Sequence, residues 1–332
     1  MSPVRNVAVV GLGVGRAHLW AWKRVPDHFR VAAVCDHDAE RLAATAERFP
    51  DAIAVGDLSE LLGRDDIDVI DLCTPPALHL EQLSAVLRAG HDAVCEKPVV
   101  GTVADVDALV ALEAETGRRI MPIFQYRYGH GLQKLRHLVE AGVAGALHTA
   151  SIEVSWRRGP EYYAAPWRGT KAGELGGVLL THAVHALDML TYVAGPVTSV
   201  SARTSTRVND VETEDCAAVV MELDGGPLAT LSATLGSLHE ITRHRFCFER
   251  LTAESNTEPY TNSSDPWTFT GDDDAIASAL ATFVPGNENF LGQFERFGEG
   301  GELPVTLHDA RRAIAAVEAM YESAESRREV TL

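Results

Sequence analysis

Basic residues, cysteines and long apolar runs are all scarce in this sequence. Its 332 residues include 29 Lys and Arg against 47 Asp and Glu, which gives a formal net charge of −18. Because proteins that bind nucleic acid need a basic face to displace counterions, this balance predicts no nucleic-acid partner. No run approaches the roughly 18 apolar residues that a membrane span needs, so we expect no membrane partner either. The composition favours a protein that acts on a small molecule.

The five cysteines are odd in number, widely spaced and free of any CxxC pair. Each lies in or beside an apolar run, which is typical of reduced thiols in a core and predicts a cytoplasmic protein. The N-terminus leads into a strand-like run with no basic head and no cleavage site, so we expect no export signal. The cysteines are Cys35, Cys73, Cys95, Cys216 and Cys247.

Two domains are expected, because a domain takes roughly 150 residues. In residues 1–122, six buried strand-like runs alternate with helical patterns, which predicts an α/β domain with a doubly wound parallel sheet. In residues 123–332, consecutive strands joined by short glycine or proline turns predict an α+β domain with a mostly antiparallel sheet. We also expect one helix near residues 178–194 and a polar loop over residues 254–275.

A glycine-rich turn follows the first strand-like run and opens a helix. Gly11 and Gly13 let the backbone turn tightly and approach a pyrophosphate, and the helix N-terminus offers free N–H groups. Arg16 stands where the usual motif has its third glycine, and the nearest glycine is Gly15, so we predict a turn that is one residue shorter. The alternative is a glycine-rich structural turn that binds no ligand.

Asp36 and His37 follow the second strand-like run. A carboxylate at this place can accept hydrogen bonds from the adenosine ribose and repel a 2′-phosphate, which favours NAD over NADP. A protonated His37 would pair with a phosphate, so NADP remains the alternative cofactor. Asp36 could instead serve only as a helix cap.

Two further motifs follow the fourth and fifth strand-like runs, at the sheet edge where ligands bind in open α/β folds. The first begins at Thr74 and Pro75, and it either lines a ligand or merely ends the strand. The second is Glu96-Lys97-Pro98. A lysine at the mouth of a buried sheet can donate a proton to a substrate oxygen or accept one from it. The alternative is an ordinary surface lysine.

The apolar stretch near residues 178–194 contains polar residues at helical spacing. Thr181, His185 and Asp188 stand at i, i+4 and i+7, so on one helix they share a face. His185 is a candidate acid or base, and the alternative is a hydrogen-bonded core histidine. A metal site formed by His182, His185 and Asp188 is conceivable, but helical spacing alone is weak support, so we predict no metal.

Together, the turn at residues 11–18, Asp36, the motifs at residues 74–76 and 96–98, and the segment 176–188 resemble the Gfo/Idh/MocA oxidoreductase family. Glucose–fructose oxidoreductase and inositol dehydrogenase belong to this family. The resemblance covers essentially the whole chain and implies a Rossmann domain followed by a domain with a large open, mostly antiparallel sheet. It implies NAD(P)-dependent hydride transfer on a sugar, cyclitol or related polyol, with Lys97 and His185 as catalytic residues.

The resemblance also implies that Trp167 and Arg168 lie near cofactor and substrate, and that Gln125 and Arg127 lie near the nicotinamide. The predicted cofactor-binding residues are Gly11, Gly13, Val14, Gly15, Asp36, His37, Thr74, Pro75, His79, Glu96, Lys97, Gln125, Trp167 and Arg168. The predicted substrate-binding residues are Lys97, Arg127, Arg168, Thr181, His182 and His185, and of these Lys97, Thr181 and His185 are predicted to be catalytic.

The sequence departs from the family at Thr181. Inositol dehydrogenase-like members carry an aspartate four residues before the catalytic histidine. Because threonine cannot ionise, it cannot support a charged histidine as a carboxylate does. We therefore predict that Lys97 carries more of the acid/base role and that His185 orients the substrate hydroxyl or assists.

Two other functions fit the same motifs: a non-catalytic NAD-responsive binding or regulatory protein, and a glycosidase that uses tightly held NAD. The resemblance further implies a homodimer or homotetramer that uses the open sheet face. Substrate specificity is expected to depend on the second sheet and on the segments 157–175 and 254–275. An aromatic and cationic pocket wall is expected from Trp156, Arg157, Arg158, Tyr162, Tyr163 and Trp267.

Overall fold

The computed structural model describes residues 3–332, which form two compact units. The first unit runs up to Ile123 and includes Phe290–Ala310, and the second consists of Phe124–Asn289 and Arg311–Leu332. We expected a division between residues 122 and 123, with the whole remainder in the second domain. The structure differs in returning Phe290–Ala310 to the first unit, because aromatic side chains of this segment pack on it.

The elements are numbered in chain order. The strands are β1 (Arg5–Val10), β2 (Phe29–Cys35), β3 (Ile53–Val55), β4 (Val69–Leu72), β5 (Asp92–Cys95), β6 (Ile120–Pro122), β7 (Leu147–Arg157), β8 (Val197–Ser205), β9 (Cys216–Leu223), β10 (Leu228–Thr234), β11 (Gly236–Phe248), β12 (Leu251–Glu254), β13 (Thr268–Gly271) and β14 (Val330–Thr331). The α-helices are α1 (Gly15–Trp22), α2 (Ala39–Ala46), α3 (Ser59–Leu62), α4 (His79–Arg88), α5 (Val103–Thr116), α6 (His130–Glu140), α7 (Lys171–Glu174), α8 (Val178–Thr181), α9 (Val184–Ala194), α10 (Asp273–Leu280), α11 (Asn289–Glu299) and α12 (Leu307–Ser326).

The six strands of the first unit form a parallel sheet in the order β3-β2-β1-β4-β5-β6. This confirms the predicted doubly wound sheet. The strand order reverses between β1 and β4, which is where such folds open their ligand crevice. Each candidate cofactor residue of this unit follows the carboxyl end of one of four strands, β1, β2, β4 or β5.

Helix α11 of the first unit was not expected. The Phe294 ring stacks on Trp22 with centroids 3.7 Å apart, and the Phe297 ring stacks on Phe29 at 5.5 Å. Phe290, Phe294 and Phe297 stand at i, i+4 and i+7, so a helical signal is present in the sequence. The packing of this aromatic stripe explains why a late segment of the chain belongs to the first unit.

The eight strands of the second unit form a sheet in the order β13-β12-β11-β7-β10-β9-β8-β14. Within the described part of the chain, β7 and β10 pair in parallel and the other neighbours pair antiparallel. The mostly antiparallel sheet is therefore confirmed. The turn Asp224-Gly225-Gly226 joins β9 to β10 as a hairpin, with positive φ at both glycines. Alternate residues such as Val219 and Leu231 are buried in the core on one face.

Two expectations for the second unit are wrong. The single helix expected near residues 178–194 is two helices, because α8 ends at Thr181 and α9 begins at Val184. The loop expected over residues 254–275 contains β13 and the start of α10. No single helix in residues 3–332 is long and apolar enough to cross a membrane. The segments Lys171–Thr181 and Val184–Ala194 reach that length and apolarity only when they are counted together, and they are bent by 46° relative to each other.

Candidate active site

The glycine turn lies between β1 and α1. Gly11 has a φ of 88°, and a Cβ there would lie 2.6 Å from the Cys73 carbonyl oxygen, so glycine is required. A Cβ on Gly15 would lie 3.1 Å from Val9, so α1 approaches β1 closely at this residue. Gly15 therefore takes the packing role of the third glycine in the usual motif, within a shorter turn.

The outer side of this turn is open. Gly13 is exposed, and a Cβ there would meet no atom within 4 Å. Among residues 3–332, no group accepts a hydrogen bond from the backbone N–H of Gly13 or Val14. Because these amides lie at the N-terminal end of α1, where the helix dipole favours anions, the turn fits a pyrophosphate.

The Asp36 carboxylate is tied to protein groups. Its Oδ2 accepts from the backbone N–H of Leu12 over 2.7 Å and from Arg41 over 3.1 Å, and its Oδ1 accepts from the Asp38 N–H over 2.9 Å. The side chain is 1% exposed, so Asp36 holds the glycine turn against β2. The ribose contact stays a prediction, and it would have to share a carboxylate that already has three donors.

Positive side chains surround this acid. His37 is exposed, with its Nδ1 3.6 Å from Asp36, and the Arg41 guanidinium is also partly exposed beside it. The preference for NAD was inferred from the negative charge of Asp36. Because Arg41 offsets that charge, the electrostatic basis for rejecting a 2′-phosphate is weaker than the sequence indicates.

A buried histidine joins the loops that follow β4 and β5. The His79 Nδ1 lies 2.9 Å from the Pro98 carbonyl oxygen, and its Nε2 lies 2.9 Å from that of Thr74. His79 is fully buried, so its predicted contact with the cofactor is replaced by a role in holding the two loops together. Thr74 lies at the glycine turn, since a Cβ on Gly11 would be 3.0 Å from its N atom, and Pro75 follows before a 3-10 turn.

Lys97 is half-buried and directly follows Glu96 at the end of β5. The Glu96 Oε2 accepts from the backbone N–H of Lys97 over 3.0 Å, and its Oε1 lies 3.0 Å from Nε2 of His18. The Nδ1 of His18 lies 2.9 Å from Asp71, whose carboxylate also accepts from Trp22 over 2.7 Å. Glu96, predicted to bind the cofactor, is therefore buried between His18 and the Lys97 backbone.

His18 carries the positive charge in this buried hydrogen-bonded group of Asp71, His18 and Glu96. An imidazole that donates to two carboxylates must hold both ring protons. Burial, the largest single effect, lowers the pKa of His18, but Asp71 and Cys73 together outweigh it and raise that pKa well above its ordinary value. The sequence analysis missed His18, Asp71 and Trp22. The available signal was Asp71 itself, an acid inside a fully buried apolar strand, where it needs a partner.

In the second unit, a 3-10 turn at Gln125–Tyr128 packs against α9. The His185 ring stacks on Tyr126 with centroids 4.5 Å apart. One turn along α9, Asp188 accepts two hydrogen bonds from Arg127, over 2.8 Å and 2.5 Å. His185 and Asp188 therefore share one face of α9, as the spacing predicts.

Arg127 and Gln125 differ in what they offer a ligand. Arg127, predicted to bind substrate, is buried and uses its guanidinium fork on Asp188, so it fastens the 3-10 turn to α9. The Gln125 Oε1 is buried and has no hydrogen-bond partner among residues 3–332. An orphaned acceptor of this kind fits an amide donor such as the carboxamide of a nicotinamide.

The Arg127–Asp188 pair gives a stability prediction. Asp188→Asn should lower the free energy of unfolding by about 3 to 5 kcal/mol, because it leaves a buried guanidinium without its counter-charge. Urea unfolding of the full chain measures the loss. As a control, Glu140→Gln removes an exposed partner of Arg136, which keeps its hydrogen bond to the Tyr192 carbonyl, and it should cost about 1 kcal/mol or less. Equal losses in the two variants would contradict the structural role of the pair.

Thr181 and His182 lie at the break between α8 and α9. The Thr181 hydroxyl donates to the Gly177 carbonyl over 2.7 Å, and its oxygen lies 2.7 Å from His182 Nδ1. The common face of Thr181 and His185 was predicted on one continuous helix, and the helix is interrupted between them. Thr181 contacts His182.

Aromatic side chains surround His182. Trp156 packs edge-to-face on its ring at 5.4 Å, and the Tyr162 ring lies 5.6 Å away. The Arg158 guanidinium lies over the rings of Trp156 and Tyr162 at 5.0 and 5.2 Å. These side chains form a contiguous cluster of the kind expected for the pocket wall.

The other three members of the expected wall pack differently. Tyr163 packs edge-to-face on Tyr162, and Arg157 is exposed. The prediction that Trp267 belongs to the wall is wrong. Trp267 is buried, its ring stacks on Phe246, and its indole N–H donates to the Asn262 carbonyl over 2.7 Å. Trp267 is therefore a core residue.

Arg168 and Trp167 pack beside this cluster. The Arg168 guanidinium lies 3.9 Å over the Tyr162 ring and 4.3 Å over the Trp167 ring. It also lies 3.2 Å from Glu174, so its charge is paired. Arg168 is thereby held in place by two rings and a carboxylate.

The metal alternative has no geometric basis at His182, His185 and Asp188, because Arg127 engages both Asp188 oxygens. Among residues 3–332, the one close group of potential ligands is His18, Asp71 and Cys73. Hydrogen bonding accounts for this group, and burial raises the pKa of the Cys73 thiol, which keeps it protonated. That the protein holds no metal stays a prediction.

Two models of one protein family match the chain. Residues 5–124 match the model described as oxidoreductase family, NAD-binding Rossmann fold, and residues 132–253 match the model described as GFO/IDH/MocA C-terminal domain. The chain belongs to the Gfo/Idh/MocA oxidoreductase family. This confirms the predicted family, fold class and enzyme class: the Gfo/Idh/MocA protein is an NAD(P)-dependent oxidoreductase.

Similar proteins span most of this Gfo/Idh/MocA chain. The uncharacterized oxidoreductase YrbE of Bacillus subtilis is 25% identical over 314 residues, covering 92% of this chain and 90% of YrbE. The D-apiose dehydrogenase of Paraburkholderia graminis is 27% identical over 232 residues, covering 69% of this chain and 60% of the relative. The WlbA dehydrogenase of Bordetella pertussis, solved with NADH and UDP-GlcNAcA, superposes with a TM-score of 0.88 at 26% identity over 99% of both chains.

Proposed function

We propose that this Gfo/Idh/MocA protein transfers a hydride between NAD and a secondary alcohol of a sugar, cyclitol or related polyol. The observation that carries the proposal is Lys97, anchored through Glu96 at the carboxyl end of β5 in an NAD-binding oxidoreductase. Relatives named D-apiose dehydrogenase and levoglucosan dehydrogenase support a sugar-like substrate. The similar WlbA structure, which contains NADH and UDP-GlcNAcA, also supports this class.

The residues have separate tasks in the proposed reaction. A bound nicotinamide supplies hydride transfer. Lys97 accepts the hydroxyl proton during oxidation and returns it during reduction. His185, fixed by stacking on Tyr126, orients the substrate hydroxyl. Thr181 cannot ionise, and we assign it to holding the His182 ring through their hydrogen bond.

The cofactor and substrate contacts complete the proposal. The backbone amides of Gly13 and Val14 hold the pyrophosphate, and Gln125 accepts from the nicotinamide amide. The cluster around His182, with Arg168 beside it, contacts the polyol, because aromatic faces suit sugar rings. NAD is the proposed cofactor, and NADP is the alternative that Arg41 makes reasonable.

The test is an assay of the full-length protein with NAD or NADP and a panel of sugars and polyols. Thermal shift first selects the cofactor, because a ligand at about 100 times its Kd stabilises by about 2.7 kcal/mol. The proposal expects reduced nicotinamide to accumulate with at least one polyol. Cofactor binding without turnover on the whole panel would favour the regulatory alternative. Release of a leaving group from glycosides without net NADH would favour the glycosidase.

We further propose a homodimer or homotetramer that forms through the open face of the eight-stranded sheet. Exposed residues on this face include Val220, Leu228 and Thr230, while their strand neighbours Val219 and Leu231 are buried. The apolar side chains Val220 and Leu228 are 53% and 52% exposed on this face, and exposed apolar patches commonly mark a contact with another chain. Sedimentation of the purified protein should give twice or four times the monomer mass. Val220→Glu should shift it toward monomer, and an unshifted monomer in both cases would contradict the proposal.

We propose a cytoplasmic location as well. All five cysteines are free thiols, which fits a reducing compartment. Fractionation of the source cells tests this, and recovery with secreted proteins would contradict it.

A further inference from the structure

A strongly basic cleft lies between α1 and α2 of the first unit. Its volume is about 670 Å³. Its lining contains five cationic side chains and no carboxylate. These cations, which define the basic cleft below, are Arg16, Lys23, Arg24, Arg41 and Arg48.

This charge runs against the composition of the chain. With 47 acidic and 29 basic residues, an average stretch of surface holds more acids than bases. Arg16, Lys23 and Arg48 form no ion pair with any carboxylate among residues 3–332, whereas Arg41 pairs with Asp36 and Asp38. Because like charges repel, bringing these cations together does not by itself stabilise the fold. It creates a positive potential that concentrates an anion.

Aromatic rings hold two of the cations in place. The Arg24 guanidinium lies 3.8 Å over the Trp20 ring and donates to the Trp20 carbonyl over 2.9 Å. The Lys23 ammonium lies 5.8 Å over the Phe49 ring. Cation–π contacts orient these groups without neutralising them. Trp20 is 52% exposed in the cleft wall, so its indole also offers a flat apolar surface.

The cleft has a near end and a far end relative to the dinucleotide turn. At the near end, Arg16 donates to the Gly13 carbonyl over 3.3 Å and Arg41 contacts Asp36. The far end holds Lys23, Arg24 and Arg48, beyond the eight residues of α1. At about 1.5 Å per residue, α1 is about 12 Å long, so one phosphate group cannot reach both ends.

We propose that the basic cleft binds a phosphate-rich anion, in addition to the pyrophosphate held by the glycine turn. Arginine forks match phosphate oxygens in pairs, and lysine adds a compact point charge. The ligand is a free polyphosphate or nucleoside polyphosphate, whose base would lie on Trp20. The 2′-phosphate of NADP would reach the near end alone and belongs to the cofactor alternative, so it is not this ligand. The proposal does not depend on which alcohol the enzyme oxidises.

The test uses inorganic tripolyphosphate and NADP with the full-length protein. Calorimetry measures tripolyphosphate binding to the NAD-saturated protein at low and high salt. In the double variant Lys23→Glu/Arg48→Glu, affinity should fall more than about tenfold, because two charge-assisted contacts are lost. The control Arg88→Glu/Arg118→Glu makes the same charge change at exposed cations outside the cleft, and affinity should change less than about twofold.

Each outcome decides the proposal. Tripolyphosphate binding to the NAD-saturated protein, weakened in the first variant only, supports a free polyphosphate ligand. Binding only without cofactor, together with displacement by NADP, would place the anion at the cofactor's own 2′-phosphate position and overturns the proposal. Absence of tripolyphosphate binding, or equal loss in both double variants, overturns it too.

Discussion

Lys97→Ala should lower kcat by a factor of about 10² to 10⁴, which is the usual contribution of a positioned general acid or base. The affinity for NAD should stay within about twofold, because the dinucleotide is held by backbone amides of the glycine turn. Single-turnover rates with the polyol found in the panel measure the first effect, and NAD titration measures the second. Full turnover in this variant would remove Lys97 from the proton transfer.

The matched control for this variant is Lys134→Ala. Lys134 lies on α6 and pairs with Asp265 on the surface, so the same truncation is made away from the sheet edge. Its kcat should equal that of the unmodified enzyme. If both lysine variants lose activity equally, the effect arises from general destabilisation and not from the loss of a catalytic group.

The same assay compares the contributions of Lys97 and His185 to kcat. Thr181 stands where inositol dehydrogenase-like members carry an aspartate, and it cannot ionise as that carboxylate does, so His185→Ala should lower kcat less than Lys97→Ala does. A larger loss in the histidine variant would reverse the assignment and make His185 the main acid or base.

The sheets were predictable because their signals are local. Each buried strand of the first unit is a short apolar run, and the hairpin between β9 and β10 has its two glycines in the sequence. The break between α8 and α9 was not predictable in this way. At the break, the Ala183 N–H donates to the Val178 carbonyl, and the Thr181 hydroxyl contacts both the Gly177 carbonyl and His182. These contacts leave no periodic signal in the sequence.

The candidate site shows the same limit. The sequence located the residues at the ends of β1, β2, β4 and β5, since motif position determines the strand end on which a side chain lies. It did not reveal what each carboxylate touches. Asp36 has Leu12 and Arg41 as partners, and Glu96 has His18, so both acids are positioning residues in this structure. Such pairings depend on tertiary contacts and on the direction of each side chain.

His18→Gln should produce the second large effect, because it should lower both the free energy of unfolding and kcat. It removes the cation that lies between the buried Asp71 and Glu96, which should lower the free energy of unfolding by about 3 to 5 kcal/mol. It also removes the group that fixes Glu96, whose other oxygen holds the Lys97 backbone. Misplacement of Lys97 should lower kcat about 10- to 100-fold, with NAD affinity unchanged.

A second variant separates the positioning role of His18 from stability. His18→Gln/Asp71→Asn removes the cation and one acid together, so it should regain most of the lost stability. Its kcat should stay low, because Glu96 still lacks its anchor. If kcat recovers with stability, His18 acts only on the fold. The pH dependence gives an independent readout, because the folded pKa of His18 is raised. Stabilisation by the charged His18 ring is complete below about pH 6.5 and is lost as the pH rises through the pKa of His18 in the folded protein. The free energy of unfolding of the unmodified protein should therefore exceed that of the double variant by less and less above about pH 6.5.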